Sequence, residues 1–197
     1  MIIKKSDILK TERVERLKLI NSIPGIRGVH LIGTKSKNNI SNLAIFSSVC
    51  HLGSNPPLLS MVSRPSDLIK RHTMDNIINT KYYTINSIEK YIYQKAHKTS
   101  GKYPEKISEF KKCKLNEEYI DNFHAPFVKE SNIKIGMKLL ETIEIKYNKT
   151  YIIIGEIETI KTKFEKLDEN FKNSIGIIGL NSYYENKKNK ELKYVRI

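Results

Sequence analysis

Apolar residues recur at helical spacing from Thr11 to Ile23, at Val14, Leu17, Leu19 and Ile20, with charges between them. That pattern predicts a short amphipathic helix, ended by Pro24-Gly25. Beyond it the period changes. Val29–Thr34 reads as a strand, Lys35 to Asn39 as a polar hairpin turn, and residues 40–47 as a second strand. Leu58–Ser63 predicts a third strand, stopped at Arg64-Pro65 because proline cannot donate to a ladder. Ser66-Asp67 has the character of an N-cap. Leu68, Ile69, Met74, Ile77 and Ile78 then mark helical turns to about residue 79. Tyr82–Asn86 predicts a fourth strand, and Ser87–Lys98 a second helix that begins Ser-Ile-Glu-Lys. Residues 99–131 carry no clear period and are punctuated by Pro104 and Pro126. Two long Ile/Glu/Thr-rich runs, 133–147 and 150–163, suit an antiparallel hairpin, and Ser174–Leu180 predicts a last apolar strand. No repeat or low-complexity linker divides the chain. The expectation is one domain over residues 1–197, with an N-terminal extension (1–20) and a basic tail (185–197). Its fold class is mainly β, an antiparallel barrel of six or seven strands with peripheral helices.

The stretch NLAIFSSVCHLGSNPPLL, residues 42–59, interrupts this pattern. A strand breaks at Ser47-Ser48, a His-Leu-Gly-Ser turn is expected, and Pro56-Pro57 leads into the next strand. Two hydroxyls, a flexible Gly-Ser corner and a rigid Pro-Pro entry between two apolar strands call for an explanation beyond the strand pattern.

Composition narrows the classes. The 197 residues suffice for one substantial core, and no apolar window approaches the roughly 18 residues of a membrane helix. The N-terminus lacks the pattern of a secretory signal, and two cysteines cannot build a disulfide framework, so a cytoplasmic protein is expected. The net charge of +14 points toward nucleic acid, but its make-up argues against it. There are 29 Lys against 6 Arg, with 30 Ile and 17 Asn, a bias of AT-rich coding sequence, and the lysines are dispersed. Against that background Arg27, Arg64 and Arg71 stand out as places that need a guanidinium fork.

Familiar catalytic signatures are absent. The chain has no GxGxxG, no GxxxxGK[ST] and no GxSxG, and its five histidines lie at least 21 residues apart, so no metal site is expected. Cys50 is read as a small buried hydrophobe. The remaining candidates suit a phosphate: Ser47 and Ser48 at a strand end, Arg64 at the end of the next strand, and Arg71-His72-Thr73 at a helix turn. Each has a plainer role available, as turn residue, surface ion-pair partner or ordinary N-cap. The order strand–turn–strand–helix is what joins them.

Four blocks, SNLAIFSSVCHLGSNPPLLSMVSRP, RHTMDNIINTKYYTIN, AHKTSGKYPEKISEF and FHAPFVKESNIKIGMKL, occur in order between about Arg16 and Tyr184. Together they resemble the flavin reductase-like proteins of the FMN-binding split-barrel superfamily. The resemblance implies that the main chain of Asn42, Leu43 and Ala44 borders the isoalloxazine. Ser47, Ser48, Leu52, Gly53 and Ser54 would line the flavin, and Arg64, Arg71, His72 and Thr73 its 5′-phosphate. His97, Thr99 and Ser100 are expected near the nicotinamide or substrate. It also implies FMN rather than FAD as cofactor, NAD(P)H as donor, a second electron acceptor, and a homodimer with flavin at the subunit interface. No catalytic side chain is required, because the chemistry belongs to the flavin. Ile26 and Gly28 stand where relatives often have prolines around the arginine, and Ile45 replaces a frequent proline. A non-enzymatic electron carrier on the same barrel remains open at this point, and a basic nucleic-acid-binding barrel is more distant.

Overall fold

A computed structural model describes residues 2–65, 70–193 and 195. Two helices, α1 (Lys5–Lys10) and α2 (Arg13–Ser22), precede a short strand β1 (Arg27–Gly28). Strands β2 (His30–Lys35), β3 (Ser41–Phe46), β4 (Cys50–Ser54) and β5 (Pro57–Ser63) lead to helix α3 (His72–Thr80) and strand β6 (Tyr82–Ser87). Helices α4 (Tyr93–Lys98) and α5 (Glu109–Cys113) follow, then the short strands β7 (Glu117–Glu118) and β8 (Phe127–Val128). The long pair β9 (Ile133–Ile145) and β10 (Thr150–Thr162), helix α6 (Leu167–Asn170), and strands β11 (Ile175–Ile178) and β12 (Ser182–Glu185) complete the described elements.

Seven strands form one antiparallel sheet in the order β3-β2-β6-β9-β10-β5-β4. The two outermost strands are neighbours in the chain, so the sheet curls until residues 47–49 bridge its edges. There Ser48 replaces a ladder rung. Its Oγ donates to the carbonyl of Val62 at 3.2 Å and accepts the Val62 N–H at 3.1 Å. A small sheet, β1-β11-β12, lies beside the barrel.

Two apolar clusters follow from the period-2 alternation of the strands. One holds Ile32, Met61, Tyr83, Ile85, Met137 and Ile153 inside the barrel, with Met74 and Ile77 of α3 against it. The other packs Leu31, Leu43, Val128 and Ile177 with Ile88, Ala96 and Phe110. Between α3 and the sheet runs a buried polar chain. Asn42 Nδ2 donates to Thr34 Oγ1 (3.2 Å) and Thr73 Oγ1 (3.0 Å), and Asn76 Nδ2 donates to the same Thr34 oxygen (3.1 Å). Buried groups of this kind are costly unless paired, and here they pin the helix in one register on β2 and β3.

Several expectations change. The His-Leu-Gly-Ser segment is strand rather than turn: β4 pairs with β5, and the reversal falls at Asn55-Pro56. Cys50 is exposed on that edge strand rather than buried, whereas Cys113 is buried. The expected Ser87–Lys98 helix starts only at Tyr93. Its would-be capping residues are drawn into tertiary contacts. The Glu89 carboxylate accepts from Ser87 Oγ and from the Asn132 N–H (2.9 Å), and Ser87 Oγ accepts the Ile133 N–H (3.0 Å). Helix α2 matches the first predicted helix, yet none of its residues is buried, and Val14, Leu17 and Ile20 keep their apolar face open. Strand β12 was not anticipated. The expected cap at Ser66-Asp67 and the turns at Leu68 and Ile69 lie outside the described residues.

His30 supplies a pH-dependent test of this packing. Desolvation pushes its imidazole down to about 4, and its Nδ1 is enclosed without a partner. Above the unfolded value of about 6.5 the ring is neutral in both states. As pH falls from there to about 4, only the unfolded chain takes up the proton, so stability is lost over that window. Wild type should lose up to about 3 kcal/mol more than His30→Met between pH 7 and 4 in urea titrations. The raised carboxyl groups of Glu89 and Glu109 act in the opposite sense and are common to both proteins. Parallel pH curves would refute the assignment.

Candidate functional site

Where β3 and β5 run out, their ends, helices α3 and α4 and the small sheet enclose a cavity of about 850 Å³. Asn42, Ala44, Ile45, Phe46, Ser47 and Ser48 form one wall, and Val62, Ser63 and Arg64 a second. Lys70 to Thr73 close one end. Residues His97 and Thr99–Tyr103 form a third wall, while Leu17, Asn21, Arg27, Gly179, Leu180 and Tyr183 form the floor near the small sheet.

The α3 end gathers cationic side chains and free helix N–H groups. Arg71 is the N-cap of α3 and offers no side-chain cap, so helix geometry leaves the N–H groups of the first turn, His72 to Met74, without intrahelical acceptors. Arg64 and Arg71 stand close enough to repel. Burial, and after it the charge of Arg64, pulls Arg71 below the ordinary guanidinium value. Its Nε donates to the Pro65 carbonyl at 3.4 Å. Two guanidinium groups beside a helix N-terminus are a donor set that could hold an anion.

Glu109, buried, also lines the cavity, and its Oε2 accepts the N–H of Leu43 at 3.0 Å. Desolvation raises its carboxyl above the usual range, opposed by the bond from Leu43 and by nearby His72. At the floor, His97 Nδ1 and the Tyr183 hydroxyl are 2.8 Å apart, with the rings edge to face. Burial pushes the Tyr183 phenol up to about 12.

Of the residues expected from sequence, Asn42, Ala44, Ser47, Ser48, Arg64, Arg71, His72, Thr73, His97, Thr99 and Ser100 converge on this cavity. Their roles are more divided than expected. Ser48 spends its donor on Val62, closing the barrel rather than meeting a ligand. Thr73 is not a cap: it lies inside the first turn of α3, where its Oγ1 accepts from Asn42. Thr99 and Ser100 return their hydroxyls to the carbonyls of Ala96 and His97. Leu43 is withdrawn altogether, its side chain in the core and its N–H held by Glu109. Leu52, Gly53 and Ser54 lie on edge strand β4, off the cavity wall. Arg27 is structural, its Nη2 tying the Asn21 carbonyl of α2 (3.1 Å) to the Gly179 carbonyl (3.0 Å). Sequence reasoning missed Lys102, Tyr103, Glu109 and Tyr183.

Comparison with known proteins accounts for this architecture. A candidate flavin reductase with a split barrel domain from Shewanella frigidimarina superposes with a TM-score of 0.92 at 39% identity, covering 99% of this chain and 100% of that one. Nitrilotriacetate monooxygenase component B from Bacillus cereus shares the fold at 20% identity, TM-score 0.85, over 98% of each chain. A protein of Aquifex aeolicus with no stated function is 30% identical over 154 residues, 78% of each chain. The seven-stranded sheet is therefore a split barrel. The model of the flavin reductase like domain matches residues 26–187, the stretch that contains every described strand and all of the cavity lining except Leu17 and Asn21, and the chain belongs to that family.

Proposed function

We propose that this protein is an NAD(P)H-dependent flavin reductase that works with FMN and passes electrons to a second acceptor in the cytoplasm. The observation that carries the reading is the cavity's polarity. Its α3 end gathers Arg64, Arg71 and a helix N-terminus, while Ala44, Ile45, Phe46 and Val62 make the rest apolar enough for a ring system. One cationic end matches the single phosphate of FMN better than the pyrophosphate of FAD. Arg64, Arg71 and the first turn of α3 would hold the phosphate. Asn42, Ala44 and Ser47 would border the ring, and His97 would face the nicotinamide. Bound flavin supplies the redox chemistry itself, accepting hydride and releasing electrons. The chain's own part is to place the ring, neutralise the phosphate and exclude water.

The reading includes a homodimer with flavin at the interface. Ile143, Ile152 and Val62 stand in register across three strands on one sheet face, with Ile143 and Val62 exposed. Val62 also lines the cavity, so this apolar face runs into the site. A second copy seated there would bring Leu52, Gly53 and Ser54 to its neighbour's cavity, which explains their place outside their own.

Absorption spectra of the protein with FMN, before and after anaerobic NADH and then NADPH, test the activity. A bound flavin band that bleaches with one nucleotide is expected. A band that neither nucleotide bleaches would indicate an electron carrier, and no bound flavin in excess FMN would sink the phosphate site.

A further inference from the structure

A second hollow of about 510 Å³ lies behind the first, between the start of α4 and edge strand β12. Four of the chain's 11 tyrosines, Tyr91, Tyr93, Tyr183 and Tyr184, line it together with Ile175, Lys90 and Glu185. Three of their hydroxyls are already engaged. Tyr91 donates to the Glu130 carbonyl at 3.0 Å, Tyr93 accepts from Gln94 Nε2 at 3.4 Å, and Tyr183 pairs with His97. What these side chains present to the hollow is ring surface, with the Tyr93 and Tyr184 hydroxyl protons not spent on these bonds. Tyr93 and Tyr183 are 5.3 Å apart at their centroids and tilted by 52°, an aromatic pair that a further ring can join. One lysine and one glutamate give the rim no net charge. Such a lining suits a flat, uncharged aromatic molecule.

Its position adds a role. Tyr183 belongs to both hollows, so its ring is the partition between this groove and the main cavity. We infer that the tyrosine groove binds a planar aromatic molecule of the quinone class and holds it next to the main cavity as an electron acceptor. Binding stands on the groove alone, whereas the acceptor role rests on the reductase reading above. Reduction of a quinone there takes two electrons and two protons. The electrons and one proton come from the reduced flavin and the second proton from solvent, giving a hydroquinone.

Tyr184 is the residue to change, because its side chain is 44% exposed and its loss leaves both core clusters intact. Tyr184→Ala removes the ring, and Tyr184→Leu keeps the bulk without the ring face. Equilibrium dialysis of the FMN-loaded protein against menadione should show one saturable site per chain. Both variants should weaken it at least tenfold while retaining FMN like wild type. Menadione binding that fails to saturate, that excess FMN displaces, or that both variants leave unchanged would overturn the site. Menadione reduction driven by the nucleotide that bleaches the flavin should saturate in the wild type and fall in both variants, while flavin bleaching by that nucleotide stays the same. Unaltered menadione turnover would overturn the acceptor role alone. Loss of FMN retention in wild type would instead strike the flavin reading and leave the dialysis result standing.

Discussion

Arg64→Ala should weaken FMN binding by about ten- to a hundredfold and leave hydride transfer at saturating FMN nearly unchanged. The size follows from what is removed: one charge-assisted, fork-shaped donor to a phosphate, worth about 1.5–3 kcal/mol. The separation of binding from turnover follows from the layout. Arg64 stands at the α3 end with Arg71, while His97 lies on a different wall, beside Tyr183. Arg64→Lys should fall between, since an ammonium keeps the charge but not the fork. Flavin titration by fluorescence, paired with stopped-flow bleaching, reads both quantities. Equal loss of turnover at full occupancy would remove Arg64 from the phosphate role.

The second large effect is on stability. Gly33 pairs with Leu43 on one side and Thr84 on the other, in the middle of the sheet. A methyl group there would lie closer than 3.0 Å to the Pro126 carbonyl oxygen and to Thr84 Oγ1. Neither can retreat cheaply. Thr84 Oγ1 donates to that same carbonyl at 2.7 Å and accepts from Asn86 Nδ2 at 2.8 Å, so the crowded atoms form one buried, bonded set. Gly33→Ala should cost about 3 kcal/mol and lower the melting temperature by about 6–12 °C. A shift within about 2 °C would show that the strand pair relaxes freely.

These two positions mark what the sequence discloses. Gly33 lies in a strand that alternation revealed, but nothing local shows that a carbonyl from Pro126 crosses it, because that contact spans some 90 residues of chain. The β9–β10 hairpin was legible because its pattern is long and its turn, near Asn148, is local. The start of α4 was misread because Ser87 and Glu89 are good capping types that tertiary partners claim first. Cys50 was misplaced for a related reason: sequence alternation cannot show that β4 is an edge strand. At the site, Arg64 and Arg71 were visible as rare arginines in a lysine-rich chain. Glu109 and Tyr183 were not, since one carboxylate among 21 acidic residues and one tyrosine among 11 carry no mark of direction.

The chain of bonds from Thr34 through Asn42 to Thr73 sets a length. It fastens the start of α3 to β2 and to β3, whose residues line a wall of the cavity, so the distance from cationic end to ring-sized space is fixed by three side chains rather than by a flexible loop. The cavity thus works as a gauge. A molecule whose anion and ring are separated by the built-in span meets both ends at once, while one that is shorter or longer must give up one of them. On the proposed reading, selectivity between a flavin and its truncated or extended forms would be a matter of measurement, written into the barrel before any ligand arrives.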